Sequence, residues 1–168
     1  LNLSSRTFAS GIVKSRISAA KDKLQDPAAF ANLAKDDFEK SIGLVYANYQ
    51  RQLAEAGAVD FDDLIIRTVR LLLDNEEVRT RWQQRFAHVL VDEYQDTNMA
   101  QARLVQVLAE PERNICVVGD DDQSIYAWRG ADIRNILEFE RFYPEAVTIR
   151  LEQNYRSRPN ILEAAHAV

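Results

Sequence analysis

Val89-Leu90-Val91-Asp92-Glu93-Tyr94-Gln95-Asp96-Thr97-Asn98 is the stretch on which the reading of this chain turns. Three apolar residues lead directly into two carboxylates and then into a polar turn. A buried strand ending this way can hold Mg²⁺, a hard ion that takes oxygen ligands and needs few protein carboxylates beside substrate phosphates and water. The second carboxylate is then free to orient an attacking water. Asp92 is therefore the candidate metal ligand and Glu93 the candidate general base. Acids at strand ends also cap the helices that follow, and this stretch alone leaves both readings open. Asp96 and Thr97 are read as such caps, since both side chains accept orphan helix N–H groups. Gln95 is either a phosphate contact or a structural hydrogen bond.

Moving outward, Asn114–Gly119 is a second apolar run, entering Asp120-Asp121-Asp122-Gln123-Ser124-Ile125-Tyr126-Ala127-Trp128-Arg129-Gly130-Ala131. Val147–Leu151 is a third, ending in Glu152-Gln153-Asn154-Tyr155-Arg156-Ser157. Short strands that are apolar on both faces read as a covered parallel sheet. Helices are expected between them at about 97–109 and 132–142, an alternation that argues for an α/β domain with right-handed crossovers. Ligands of such sheets collect beyond the carboxyl ends of the strands. Asp92-Glu93, Asp120 to Gln123 and Tyr155-Arg156 all lie at such ends. Three adjacent acids at 120–122 cannot all face one way, so structural roles in a loop are expected for them rather than a metal trio.

Upstream, residues 1–56 read as helical. Asp26-Pro27 is a helix start, with Asp as N-cap and Pro at the first position. Ile42, Val45, Tyr46, Tyr49 and Leu53 fall at helical spacing. Lys35, Asp36, Asp37, Glu39 and Lys40 form a solvated face. Gly57 is a break and Asp60 caps a further helix. In that helix Phe61, Leu64, Ile65, Val69 and Leu72 recur at helical spacing, and Ile66, Leu71 and Leu73 make it apolar nearly all round, which predicts burial.

Composition narrows the classes. A chain of 168 residues suits one domain, or one and part of another. No apolar run approaches the ~20 residues a membrane span needs. The net charge of −5 is no signature of nucleic-acid binding, so any basic groove must be local. The single cysteine, Cys116, rules out an internal disulfide and fits a reducing, cytoplasmic setting. Its apolar strand predicts an inert core thiol. His88 and His166 have no ligand-spaced partner and are assigned no function.

With these segments in view, the chain resembles the UvrD/Rep/PcrA group of superfamily 1 DNA helicases. DEYQDTN is similar to their motif II, GDDDQSIYAWRGA to motif III and LEQNYRS to motif IV, in the same order and at matching separations. A looser similarity covers Phe61-Asp62-Asp63-Leu64-Ile65 and Ile17-Ser18-Ala19-Ala20-Lys21. The resemblance implies that Asp92 ligates Mg²⁺, Glu93 activates water, and Gln123 and Arg156 contact the γ-phosphate of ATP. It further implies that Tyr155 stacks on adenine and that Gln95 lies near the phosphates. Trp128, with Tyr126 nearby, would stack on single-stranded DNA, and Arg129 would lie by the phosphate-sensing network or the DNA backbone. Ser157 is expected to cap the next helix.

The implied architecture is part of a RecA-like parallel sheet with helices on both faces, preceded by an all-helical segment. Residues 1–56 would belong to the helical insertion of the first motor lobe. Residues 57–150 would form the motif II and III half of that lobe, and 151–168 motif IV and the entry to the second lobe. None of the five glycines is followed by lysine, so the phosphate-cradling G-x-x-x-x-G-K-[ST] loop is not in this sequence. The expectation is therefore an internal piece of a longer helicase that moves 3′ to 5′ on single-stranded DNA and opens ss/ds junctions in repair or replication, working with other proteins of those processes. The piece alone would be inactive and prone to self-association through exposed strand edges. Three other readings stay open: a RecB- or AddA-like helicase–nuclease subunit, a non-catalytic module that binds DNA or a partner, and a plain Mg²⁺-dependent hydrolase using Asp92, Glu93, Asp96 and Asp120.

Overall fold

The computed structural model describes residues 8–167, so Leu1–Thr7 and Val168 lie outside the described residues. Among the described residues five helices precede the first strand: α1 (Ser10–Asp22), α2 (Pro27–Leu33), α3 (Asp37–Glu55), α4 (Phe61–Asp74) and α5 (Glu76–Arg85). Three begin as the sequence predicts or by the same chemistry. Asp26, Asp36 and Asp60 each accept the backbone N–H three residues on, and Pro27 occupies the first position of α2. Gly57 ends α3 with φ +60, a left-handed conformation that disfavours side chains.

Helices α1, α2 and α3 share one core. Ile17 and Ala20 of α1 meet Ile42 and Tyr46 of α3, with Phe30, Val45 and Tyr49 packed around them. Burying a side chain such as Ile42 contributes roughly 1.5–3 kcal/mol. Helix α4 is not buried all round. Ile66, Val69 and Leu72 face inward, whereas Phe61 is 90% exposed and Leu64, Leu71 and Leu73 also face solvent. Its excess leucines therefore coat an outer face.

At the heart of this helical layer Lys21 is fully buried. Its Nζ donates to Asp60 Oδ2 at 2.6 Å and Asp63 Oδ1 at 2.8 Å. Tyr49 donates to the same Asp60 oxygen and Gln50 to the same Asp63 oxygen. Burial works to raise the Asp60 carboxyl, but the Lys21 ammonium, the Asp63 amide and the Tyr49 hydroxyl hold it below its ordinary value. Nearby, Ser18 donates to Asp62 at 2.8 Å. The two stretches of looser resemblance, Ile17–Lys21 and Phe61–Ile65, are thus one packed unit, a contact their sequence separation conceals.

Downstream, β1 (Val89–Val91) and β2 (Ile115–Val117) pair in parallel, Val89 opposite Ile115 and Val91 opposite Val117, with α6 (Met99–Ala109) as the crossover. The fold is α/β, helix-rich, with two strands among the described residues. Three expectations are corrected. Val147–Leu151 forms no strand, with Val147, Ile149 and Leu151 each at least 79% exposed. Helices do not cover both faces of the sheet: Leu90 is 75% exposed and Cys116 is exposed beside it, so Cys116 is a surface thiol and not a core one. The expected helix at 132–142 is broken at Glu138 into α7 (Arg134–Leu137) and α8 (Phe139–Phe142). Helix α9 (Pro159–His166) follows motif IV. Among the described residues no helix is long and apolar enough to cross a membrane.

Candidate functional site

The carboxyl ends of β1 and β2 lie side by side, and the backbone carries their pairing on into the loops. Val118 N donates to Val91 O and Tyr94 N donates to Val118 O. Between these contacts the chain turns sharply at Glu93, which sits in the left-handed region at φ 51, ψ 41. A non-glycine residue held there costs of order 1 kcal/mol and marks a position that its surroundings over-determine. The turn leaves Asp92 and Glu93 exposed and drives Tyr94 and Gln95 inward, where each is 1% exposed.

Gln95 is the hinge of the site. Its Nε2 donates to Glu93 Oε2 at 2.8 Å, and its Oε1 accepts the Asp120 N–H at 3.1 Å. Asp120 in turn accepts from Gln123 Nε2, and Gln123 Oε1 accepts from Arg156 Nη1 over a long 3.4 Å. Glu93, Gln95, Asp120, Gln123 and Arg156 thus form one hydrogen-bonded line across all three motifs. Gly119 makes room for it: a Cβ there would lie 2.5 Å from Gln95 Oε1 and 2.6 Å from Ile136 Cδ1. Asp120 also accepts the Asp122 N–H, a structural role of the kind expected in the acidic run.

The aromatic loop forms a second group. Trp128 is 74% exposed and its ring centroid lies 6.3 Å from that of Tyr126. The Arg129 guanidinium sits over both rings, 4.9 Å from Trp128 and 5.5 Å from Tyr126, within cation–π range. The result is an apolar plate edged by a fixed positive charge, held out in solvent. Tyr155 joins neither group: it is 87% exposed and donates only to Gln153.

Several local expectations change. Asp96 and Thr97 do not cap α6. Asn98 does, in a reciprocal capping box with Gln101, and the N-x-x-Q spacing was the available signal. Thr97 instead donates to Tyr94 O and accepts from Asn135, tying the motif II turn to α7. Ser157 does not cap α9; its N–H and that of Arg156 both donate to Asn154 Oδ1.

The donor set fits a magnesium ion held largely by a substrate. Among the described residues no cluster of three or more His, Cys, Asp or Glu side chains forms a protein-only cage. Asp92 presents an exposed carboxylate at the strand end, one oxygen accepting the Glu93 N–H and the other open. A single such oxygen, completed by phosphates and water, is ordinary magnesium ligation.

Residues 1–144 match the model of the UvrD/REP helicase N-terminal domain. The chain belongs to the UvrD/REP helicase N-terminal domain family. It is similar to the ATP-dependent DNA helicase PcrA of Staphylococcus aureus, at 51% identity over 99% of this chain and 23% of the relative. The protein of the same name from Staphylococcus epidermidis is 50% identical over the same shares, and that from Leuconostoc citreum 48% identical over the whole of this chain and 22% of the relative. The chain spans a little under a quarter of the length of these curated relatives. Within this UvrD/REP-type chain, the glycine at 119 and the capping Asn98 are the site features that the residue patterns did not single out, and Gln95, open between two roles in the sequence, makes structural hydrogen bonds.

Proposed function

We propose that this chain is the part of an ATP-dependent 3′-to-5′ DNA helicase that joins nucleotide chemistry to the grip on single-stranded DNA. The observation that carries this reading is the line Glu93–Gln95–Asp120–Gln123–Arg156. It starts at Glu93, the carboxylate proposed to orient water, and ends at Arg156, the guanidinium proposed to meet phosphate charge. Asp92 would hold Mg²⁺, which neutralises the β- and γ-phosphates of ATP when bound. Glu93 orients the attacking water and receives its proton, Gln123 contacts the γ-phosphate, and Arg156 offsets charge developing on it, as an arginine finger does. Exposed Tyr155 is free to stack on adenine. Trp128, Tyr126 and Arg129 supply a platform for unpaired bases, worth roughly 1–3 kcal/mol per base and tolerant of sequence.

In this reading the two paired strands are part of a RecA-like sheet, with 1–56 from the helical insertion, 57–150 from the ATPase lobe and 151–168 entering the second lobe. Partners are single-stranded DNA and ss/ds junctions, in a cytoplasmic repair or replication setting. The test is ATP turnover by the 168-residue chain with Mg²⁺, with and without single-stranded DNA, beside Glu93→Gln. No turnover above that control, together with oligonucleotide binding that Trp128→Ala weakens, supports the reading. Turnover that Glu93→Gln removes would mean that phosphates are presented without a glycine-rich loop, and a self-sufficient hydrolase would replace it.

A further inference from the structure

Asp22 closes α1, next to the buried Lys21 whose two ion pairs fix the last turn of that helix against α4. From this anchored position its carboxylate reaches into the second half of the molecule. Oδ1 accepts from Asn98 Nδ2 at 2.6 Å, at the cap of α6. Oδ2 lies against Gly130, so close that a Cβ built there would be 2.2 Å away. Gly130 directly follows Trp128-Arg129 and holds φ +88, ending the turn that displays them. Two residues on, Asp132 N donates to Thr97 O at 2.9 Å. The far end of the aromatic loop is thus pinned at one point by α1, by the motif II turn and by the cap of α6.

We propose that Asp22 is a positioning residue for the DNA platform, holding Gly130 and thereby the pose of Trp128 and Arg129 from the helical layer. This rests on the reading of Trp128 as a base-stacking residue. The contact rests on the shape and acceptor oxygen of the side chain, because the site does not favour its charge. Burial and the Asp62 carboxylate facing it from α4 push Asp22 up to about 6, against the Asn98 amide and the neighbouring Lys23. The same geometry explains glycine at 130, where both the left-handed backbone and the touching carboxylate exclude a side chain.

The test uses the 168-residue chain carrying Trp82→Phe, which leaves Trp128 as its one tryptophan. Trp128 fluorescence anisotropy without DNA reports the loop, and anisotropy of a labelled oligothymidylate reports binding. Asp22→Ala is expected to lower the Trp128 anisotropy and weaken oligothymidylate binding by about tenfold, because only a fraction of loops then hold the binding pose. Asp22→Asn, which keeps the acceptor for Asn98 and the same shape, is expected to restore both to within about twofold of the parent. Should Asp22→Ala fail to fold, Asn98→Ser carries the same test, since serine still caps α6 but is too short to reach Asp22. Unchanged Trp128 anisotropy and unchanged binding in these variants, while Trp128→Ala binds poorly, would overturn the inference. Unchanged binding in Trp128→Ala would instead overturn the reading of the loop on which it rests.

Discussion

The helical half and the strand half of this chain are held together by different physics. In α1 and α3, apolar side chains meet inside, and the one buried cation among the described residues is matched by two carboxylates from the start of α4. Around β1 and β2 the chemistry-bearing residues are mostly exposed, one face of the sheet is bare, and order comes from side-chain hydrogen bonds between loops. The difference teaches where stability and where function reside. The helical layer supplies rigidity; in the proposed function the strand ends present groups that meet ligands, and they stay in solvent.

That contrast breaks first at Lys21. Lys21→Met takes the ammonium from the buried Asp63, which keeps only the more distant cation Arg67 at 3.7 Å, and from the partly exposed Asp60, and a loss of about 3 kcal/mol is expected. Urea denaturation followed by circular dichroism checks it, and a loss below about 1 kcal/mol would show that the helical layer does not depend on its ion triad. The equivalent lesion on the strand side is smaller. Gly119→Ala forces Gln95 or Ile136 to move and should cost about 1–3 kcal/mol. Its diagnostic consequence is faster amide exchange at Asp120, whose N–H loses its acceptor.

Trp128→Ala should leave the denaturation midpoint unchanged, because the ring is exposed, while removing roughly 1–3 kcal/mol of oligonucleotide affinity. A mutation that altered stability and not affinity would reverse the division drawn above. Asp22 sharpens the comparison through pH. Its pKa is raised on folding, to about 6 from 3.8, so the folded state holds the proton more tightly. The contribution to stability is fully present below pH 3.8 and lost as pH rises through 6. Asp22→Asn should therefore stabilise the chain at pH 8 by about 1 kcal/mol once solvent screening is allowed for, and not at pH 3.5. Thermal melts at the two pH values decide it. The smallest effect concerns Cys116, which should react with a thiol reagent in the native chain nearly as fast as in urea. Protection that grows with concentration would reveal copies pairing across the bare sheet.

Much of this was legible in advance because local chemistry is written locally. Asp26-Pro27 and Asp60 announce their helices, and Val89–Asn98 shows both its strand and its exposed acids. What escaped the sequence depends on long-range contact. The apolar look of Val147–Leu151 and Cys116 predicts burial only if something covers them, and among the described residues nothing does. The pairing of Ser18 with Asp62 and of Lys21 with Asp63 spans more than forty positions and has no periodic signature. Asn98 was hidden by its neighbours, since Asp96 and Thr97 are equally good caps by type and only the backbone path chooses among them.

The Gln95 amide has one consequence beyond its place in the line of hydrogen bonds. An amide has two unlike ends, and here the nitrogen faces a carboxylate while the oxygen faces an N–H. Rotate it by half a turn and both contacts fail together, oxygen against oxygen and hydrogen against hydrogen. A flip of that one amide releases the Glu93 carboxylate and the Asp120 loop at the same time.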